Sequence, residues 1–243
     1  IYAKTRENTE KISEIINNFG VQSEAYHAGM DNELRAKIQN KFMTGKVKCI
    51  VATIAFGMGI NNKNVRLIIQ YGCSNDIESY YQEIGRAGRD GEKSECHMFF
   101  SNKDFQINRY FLAEIENMQF KNYRNKQIKK MEKFVNLNTC RRKYLLEHFG
   151  ETVNYERCNK CDNCLNSKYI KKEDFTDQAF LLIKLIRKLR NNYGCGTLIG
   201  ILRGSKSKKI VPALRKTSLY GSGNKYSDKW WNEFFRILIT NDY

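Results

Sequence analysis

Two short runs, "VKCIVAT" at 47–53 and "VRLIIQYG" at 65–72, constrain the fold more than anything else in the chain. Each is nearly all apolar over the length of a strand, as expected of a sheet covered on both faces. Helical patterns lie between the strand signals. Residues 7–19 put Ile12, Ile15, Ile16 and Phe19 at helical spacing, and residues 31–43 do the same with Leu34, Ile38 and Phe42. "IYAK" at the start and "VQSEAYHAG" at 21–29 read as strands, residues 76–86 as a helix, and "ECHMFF" at 95–100 as a last strand. This βαβα order predicts an α/β lobe built on a parallel sheet. The chain opens in mid-strand, which predicts a piece of something longer.

The remainder reads as helical. Residues 104–149 are charged helices, and 158–175 is a polar loop. "TDQAFLLIKLIRKLRN" at 176–191 is a helix with Thr176 or Asp177 as its cap. Trp230 and Trp231 recur with Phe234, Phe235 and Ile239 at helical spacing, so they are expected in a core rather than as base-stacking platforms. No apolar run approaches the roughly 18 residues of a membrane span.

The formal net charge is +16, and residues 165–243 hold 16 Lys/Arg against 6 Asp/Glu. A basic end of that size attracts phosphates. Of eight cysteines, Cys49, Cys73 and Cys96 sit in apolar surroundings and are expected as small core residues. Cys140, Cys158, Cys161 and Cys164 cluster as C-x17-C-x2-C-x2-C. Four thiolates suit a closed tetrahedral Zn²⁺ site. An iron–sulfur cluster is the chemical alternative.

Residues 80–91, "YYQEIGRAGRDG", set Arg86 and Arg89 among glycines at the end of a helix. A guanidinium at a nucleotide cleft stabilises the charge that builds on a transferred phosphoryl group. The plain alternative is a solvated, arginine-rich helix end. The sequence contains no G-x-x-x-x-G-K-[ST] phosphate loop and no Asp-Glu dipeptide. "GCGTLIG" at 194–200 lacks the lysine such a loop needs.

Taken in order, "IYAKTRENTE", "ATIAFGMGIN" and "SYYQEIGRAGRDG" resemble motifs IV, V and VI of superfamily-2 helicases of the RecQ family. "MGIN" and the tail "SLYGSGNKYSDKWWNEFFRILIT" are similar to the Werner branch of that family. The resemblance implies three domains: a second RecA-like lobe at 1–103, a helical zinc module at 104–170, and a partial winged helix at 171–243 whose β-wing is expected beyond the chain. It implies zinc at Cys140, Cys158, Cys161 and Cys164. Arg89 becomes an arginine finger, Arg86 a second γ-phosphate contact and Gln82 a coupling residue. Gly57, Gly59 and Asn61 approach nucleotide, with Asn61 where most members carry Asp. Arg6, His27 and Thr53 face a single DNA strand.

In the tail, Gly204 and Ser205 can open a helix whose first amides bind phosphate, with lysines alongside. The resemblance makes Arg203, Ser205 and Lys209 contacts to duplex backbone. It also implies an ATP-dependent 3′–5′ DNA helicase acting in replication, recombination and repair. Its first RecA-like lobe, with ATP and Mg²⁺, completes the site, and this chain alone is expected to be inactive. The location is nuclear in a eukaryote and otherwise cytoplasmic. A DNA-binding module that has kept the fold without a motor is the other reading.

Overall fold

A computed structural model describes residues 1–56, 62–166, 173–190 and 192–240. Strands β1 (Tyr2–Ala3), β2 (Ser23–Tyr26), β3 (Cys49–Ala52), β4 (Leu67–Tyr71) and β5 (Glu95–Phe99) form one sheet in the order β2-β3-β1-β4-β5. All neighbours are parallel, so each connection is a crossover, and the predicted helices supply those that follow β1, β2 and β4. They are α1 (Arg6–Asn18), α2 (Asn32–Met43) and α3 (Ile77–Ile84). The two-residue β1 is central, with Tyr2 opposite Ala52 on one side and Gln70 on the other.

The face that α1 buries is only partly the one its apolar residues predict: Ile12 and Ile16 lie half-buried on it. Thr9 and Ser13 are buried, whereas Ile15 is 53% and Phe19 83% exposed. A polar seam decides it. Ser13 Oγ meets Ser23 Oγ at 2.7 Å, and the Asn17 amide brackets Ser23, donating to its carbonyl at 3.0 Å and accepting from its N–H at 2.8 Å. Small polar residues let the helix lie close on β2 with every buried group satisfied. On α2, Ile38 is buried but Leu34 is exposed. Phe42 joins Tyr26 and Phe56 in an edge-to-face cluster.

β4 and β5 are wetter than predicted. Leu67 and Tyr71 are exposed, and β5 closes one edge of the sheet with Cys96 exposed. Of the three expected core cysteines, Cys73 is buried, Cys49 is half-buried and Cys96 is not a core residue, because an edge strand has no neighbour to cover it.

The chain divides into two compact units, Ile1–Val135 with Tyr144–Val153, and Asn136–Lys143 with Asn154–Tyr243. In the first, α4 (Asn102–Ala113) and α5 (Met118–Val135) follow the sheet, and α5 buries Ile128, Met131 and Phe134. Phe134 meets Tyr80 of α3 with ring centroids 5.0 Å apart.

The second unit is helical: α7 (Asp162–Leu165), α8 (Thr176–Lys188), α9 (Cys195–Leu202), α10 (Pro212–Arg215) and α11 (Asp228–Thr240). α6 (Arg141–His148) precedes them. Leu185, Ile201, Leu202 and Trp231 are fully buried in its core. The Trp231 indole donates to Gly223 O at 2.9 Å, and Trp230 stacks on Tyr226 and Phe234. Trp231 is a core residue, as expected, and Trp230 packs half-buried against that core, but Ile239 is exposed. The α8 cap also differs: Phe175 holds the N-cap position and Asp174 accepts from Thr176 N at 2.8 Å. "GCGTLIG" is mostly the buried helix α9. Among the described residues no helix is long and apolar enough to cross a membrane.

Candidate functional site

Helix α3 carries the arginine rim. Asp76 caps it by accepting from Ser79 N at 2.7 Å, and Arg124 of α5 pairs with the same carboxylate at 2.9 Å. Burial pushes Asp76 up, but these donors outweigh it and hold the carboxyl below its ordinary value. Past Gly85 the chain turns at Gly88, where φ is +62°. A Cβ there would fall 2.6 Å from Ser94 Oγ and 2.8 Å from Glu92 O, so glycine is required. Arg66 clamps Asp90 through two hydrogen bonds and fixes the loop's far end. Arg86 is half-buried, while Gln82 and Arg89 are exposed. Arg89 Nε donates to Gly85 O at 3.2 Å.

Behind the rim lies a polar network. The buried Glu83 carboxylate accepts from Gln70 Nε2 and from Ser74 Oγ. Burial raises Glu83 above the ordinary carboxylate value, against those two donors. Tyr2 is buried and its hydroxyl donates to Phe56 O at 3.0 Å. Burial raises the phenol, and the Arg86 guanidinium bonded to it opposes the rise. Tyr2 thus ties the residue before segment 57–61 to the first arginine.

At the carboxyl ends of β1 and β4 opens a cleft of about 700 Å³ lined by Lys4, Thr5, Asn8, Thr53, Gly72 and Asn75. In open α/β sheets this is where ligands bind.

The cysteines form the second site. The Sγ atoms of Cys140, Cys158, Cys161 and Cys164 all lie within 4.8 Å of one another, and Cys140 and Cys164 are buried. Zn–S bonds of about 2.3 Å in a tetrahedron put sulfurs about 3.8 Å apart, so the set fits one ion. A cluster with one iron per thiolate needs the sulfurs further apart. Two clamps hold the segments. Asn163 Nδ2 donates to Leu137 O and Thr139 O at 2.6 and 2.7 Å, and Arg141 Nε donates to Asp162 at 2.7 Å. Backbone amides of Lys143 and Cys161 point at Cys140 Sγ and Cys158 Sγ.

The third site is the basic loop after α9. Gly204 does not open a helix there. It ends α9, with φ +70° and the Gly221 Cα only 3.2 Å from where a Cβ would stand. Arg203 reaches Tyr226 O at 3.1 Å and pairs with Asp228. Ser205 Oγ accepts from Ser207 N, and Ser207 Oγ from Lys209 N, while Lys206, Lys208 and Lys209 are exposed.

Known families match in the same order. The Helicase conserved C-terminal domain matches residues 1–91, the RecQ zinc-binding domain residues 102–165 and the RQC domain residues 169–243. The chain belongs to the RecQ helicase family. A candidate ATP-dependent RNA helicase of Acanthamoeba polyphaga mimivirus is 45% identical over the whole chain and 46% of its own length. The bifunctional 3'-5' exonuclease/ATP-dependent helicase WRN of Mus musculus is 36% identical over the whole chain and 18% of its own. The ATP-dependent DNA helicase RecQ of Haemophilus influenzae is 37% identical over 98% of this chain and 38% of its own. The chain therefore spans less than half the length of each of these relatives. The RecQ zinc-binding match and the single-ion geometry identify the thiolate set as a structural Zn²⁺ site.

Of the residues expected to serve a RecQ motor, Arg86 and Arg89 share one pinned loop with Gln82 on the preceding turn of α3. Thr53 lines the cleft. Arg6 opens α1 with its guanidinium against Gly29, and the buried His27 Nε2 lies 3.0 Å from Glu10 Oε1. Gly57, Gly59 and Asn61 lie outside the described residues. Tyr2, Gln70, Glu83 and the cleft residues Lys4, Thr5 and Asn8 were not singled out from sequence. Tyr2, Lys4, Thr5 and Asn8 lie within motif IV and Glu83 within motif VI, so motif membership was their one local signal, and Gln70 had none.

Proposed function

We propose that this chain serves an ATP-dependent 3′–5′ DNA helicase of the RecQ family as its second motor lobe, zinc module and duplex-binding winged helix. The observation that carries the reading is the rim loop: Gly88 and the Arg66–Asp90 clamp hold two arginines on it while the sequence has no phosphate loop of its own. ATP with Mg²⁺ then binds against a first RecA-like lobe. Arg89 acts as the finger that stabilises charge on the transferred phosphoryl group, Arg86 is a second γ-phosphate contact, and Gln82 couples the site to DNA. Gly57, Gly59 and Asn61 approach the nucleotide. Arg6, His27 and Thr53 guide the single strand, and Arg203, Ser205 and Lys209 meet duplex phosphates. The boundaries expected at 103 and 170 separate these three roles, and a eukaryotic source places the protein in the nucleus.

The test is turnover and unwinding by the longer protein and by residues 1–243 alone. The longer protein is expected to hydrolyse ATP in the presence of DNA and to move 3′ to 5′, and the chain alone to bind DNA without hydrolysis. Turnover by the chain alone contradicts the half-site reading. Absence of turnover in the longer protein supports the motor-less DNA-binding module instead. The mimivirus relative's description adds one arm: unwinding of RNA in preference to DNA overturns the substrate class.

A further inference from the structure

The basic loop after α9 is held by a residue that is not one of its lysines. Arg215, the last residue of α10, turns its guanidinium back across the loop. Its Nε donates to Ile210 O at 2.9 Å, and its Nη2 donates to Lys206 O at 3.1 Å and Ser207 O at 3.2 Å. Three other contacts work in the same sense. Tyr220 Oη donates to Ser205 O at 3.0 Å, Ser205 N donates to Gly200 O at 2.8 Å, and Ile210 is buried against Gly200. The carbonyls of Ser205, Lys206, Ser207 and Ile210 therefore all accept bonds from within the unit. Lys206, Lys208 and Lys209 remain exposed on the loop. An anion approaching such a loop meets cationic side chains while the carbonyl dipoles are engaged elsewhere.

We infer that Arg215 is a positioning residue that preorganises the 205–210 loop for duplex phosphates without contacting them itself. The inference rests on the proposed role of this loop in duplex binding. Its physical basis is the planar fork of arginine, which spans three carbonyls at once. A lysine at the same place keeps the charge but not the span. A loop ordered before binding does not lose that entropy at the moment of binding.

Fluorescence anisotropy with residues 1–243 and two duplexes of equal length and unrelated sequence, titrated with KCl, tests this. Arg215→Lys is expected to weaken both duplexes about three- to tenfold, the size of ordering one loop on binding. The log–log salt slope should stay unchanged. Lys209→Ala should flatten the slope by about 0.9, one phosphate contact. In a Ser205→Ala, Lys206→Ala, Lys208→Ala, Lys209→Ala background, adding Arg215→Lys should change nothing further. Amide exchange at 206–209 should quicken in Arg215→Lys while the melting temperature of the unit holds.

If Arg215→Lys binds as the parent does, the inference is wrong. The same follows if it weakens binding equally in the lysine-free background, which marks general damage. If Arg215→Lys is normal while Arg215→Ala flattens the slope by a full contact, Arg215 is itself a phosphate ligand and the positioning role is overturned. A lysine-free loop that binds duplex normally sinks the underlying reading of the loop, whatever Arg215 does.

Discussion

The thiolate cage and the arginine rim are both built on short helices and tight turns, yet they are opposite kinds of site. The cage is closed. Cys140 and Cys164 are buried, the segments are clamped by Asn163 and Arg141, and the four sulfurs converge on the space of a single ion. The rim is open. Arg89 and Gln82 are exposed, and the supporting bonds from Gly85, Asp90 and Arg66 serve to hold a loop in place. A closed site returns its interaction energy to folding. An open one holds charge in readiness for a group that arrives from elsewhere.

Removing zinc should give the largest separation between the two. Chelation, or Cys161→Ser, removes metal-binding free energy of order 10 kcal/mol, which here is folding free energy. We expect one zinc per chain by elemental analysis. Segment 136–165 should unfold on its loss, while amides of the parallel sheet remain protected from exchange. Iron in place of zinc breaks the assignment, and collapse of the sheet with the cage breaks the comparison.

Arg89→Ala should do the reverse. In the longer protein we expect turnover to fall by about 10³–10⁵ with the melting temperature of the lobe unchanged, since an arginine finger acts on the transition state alone. A stability loss comparable to the rate loss places Arg89 with the structural residues.

Gly88→Ala sharpens the boundary, because Gly88 supports the rim by conformation. A side chain at φ +62° against Ser94 and Glu92 costs about 1–3 kcal/mol. Stability and turnover should therefore fall together. A variant that loses neither shows the loop to be looser than its geometry.

The smallest effect concerns Glu83. Burial raises its folded-state value above the ordinary 4.5, so the folded protein holds this proton more tightly than the unfolded chain. By linkage its contribution to stability is greatest below the ordinary value and declines as pH rises through the ordinary toward the raised value. Glu83→Gln removes the titration. The melting-temperature difference, parent minus variant, should become less favourable to the parent as pH rises across that window. A difference that grows with pH means the Gln70 and Ser74 donors outweigh burial.

The family's signature residues were legible along the chain, and their surroundings were not. C-x2-C-x2-C marks a thiolate site because ligand type and spacing are local facts, while the choice of zinc over an iron–sulfur cluster needed the sulfur spacing and the RecQ zinc-binding match. GRAGR names its loop because glycine and arginine each have a use there. The strand and helix order followed from short apolar runs and from the 3.6-residue period within single segments. Cys96 was misplaced because burial of a strand depends on its neighbours, and β5 has one only on the β4 side.

What the sequence by itself determined is therefore the order of elements, the metal site and the motif residues, since each depends on residue type and near neighbours. Only the tertiary structure decided that Ser13 and Thr9 rather than Ile15 and Phe19 meet the sheet, that Gly204 ends a helix instead of opening one, and that Tyr2 reaches Arg86. The reason is common to all three. Each outcome is set by a contact with a distant or separately folded segment, Ser23 for α1, Gly221 for Gly204 and Arg86 for Tyr2. No periodicity within one element carries information about which polar group on another will be waiting for it.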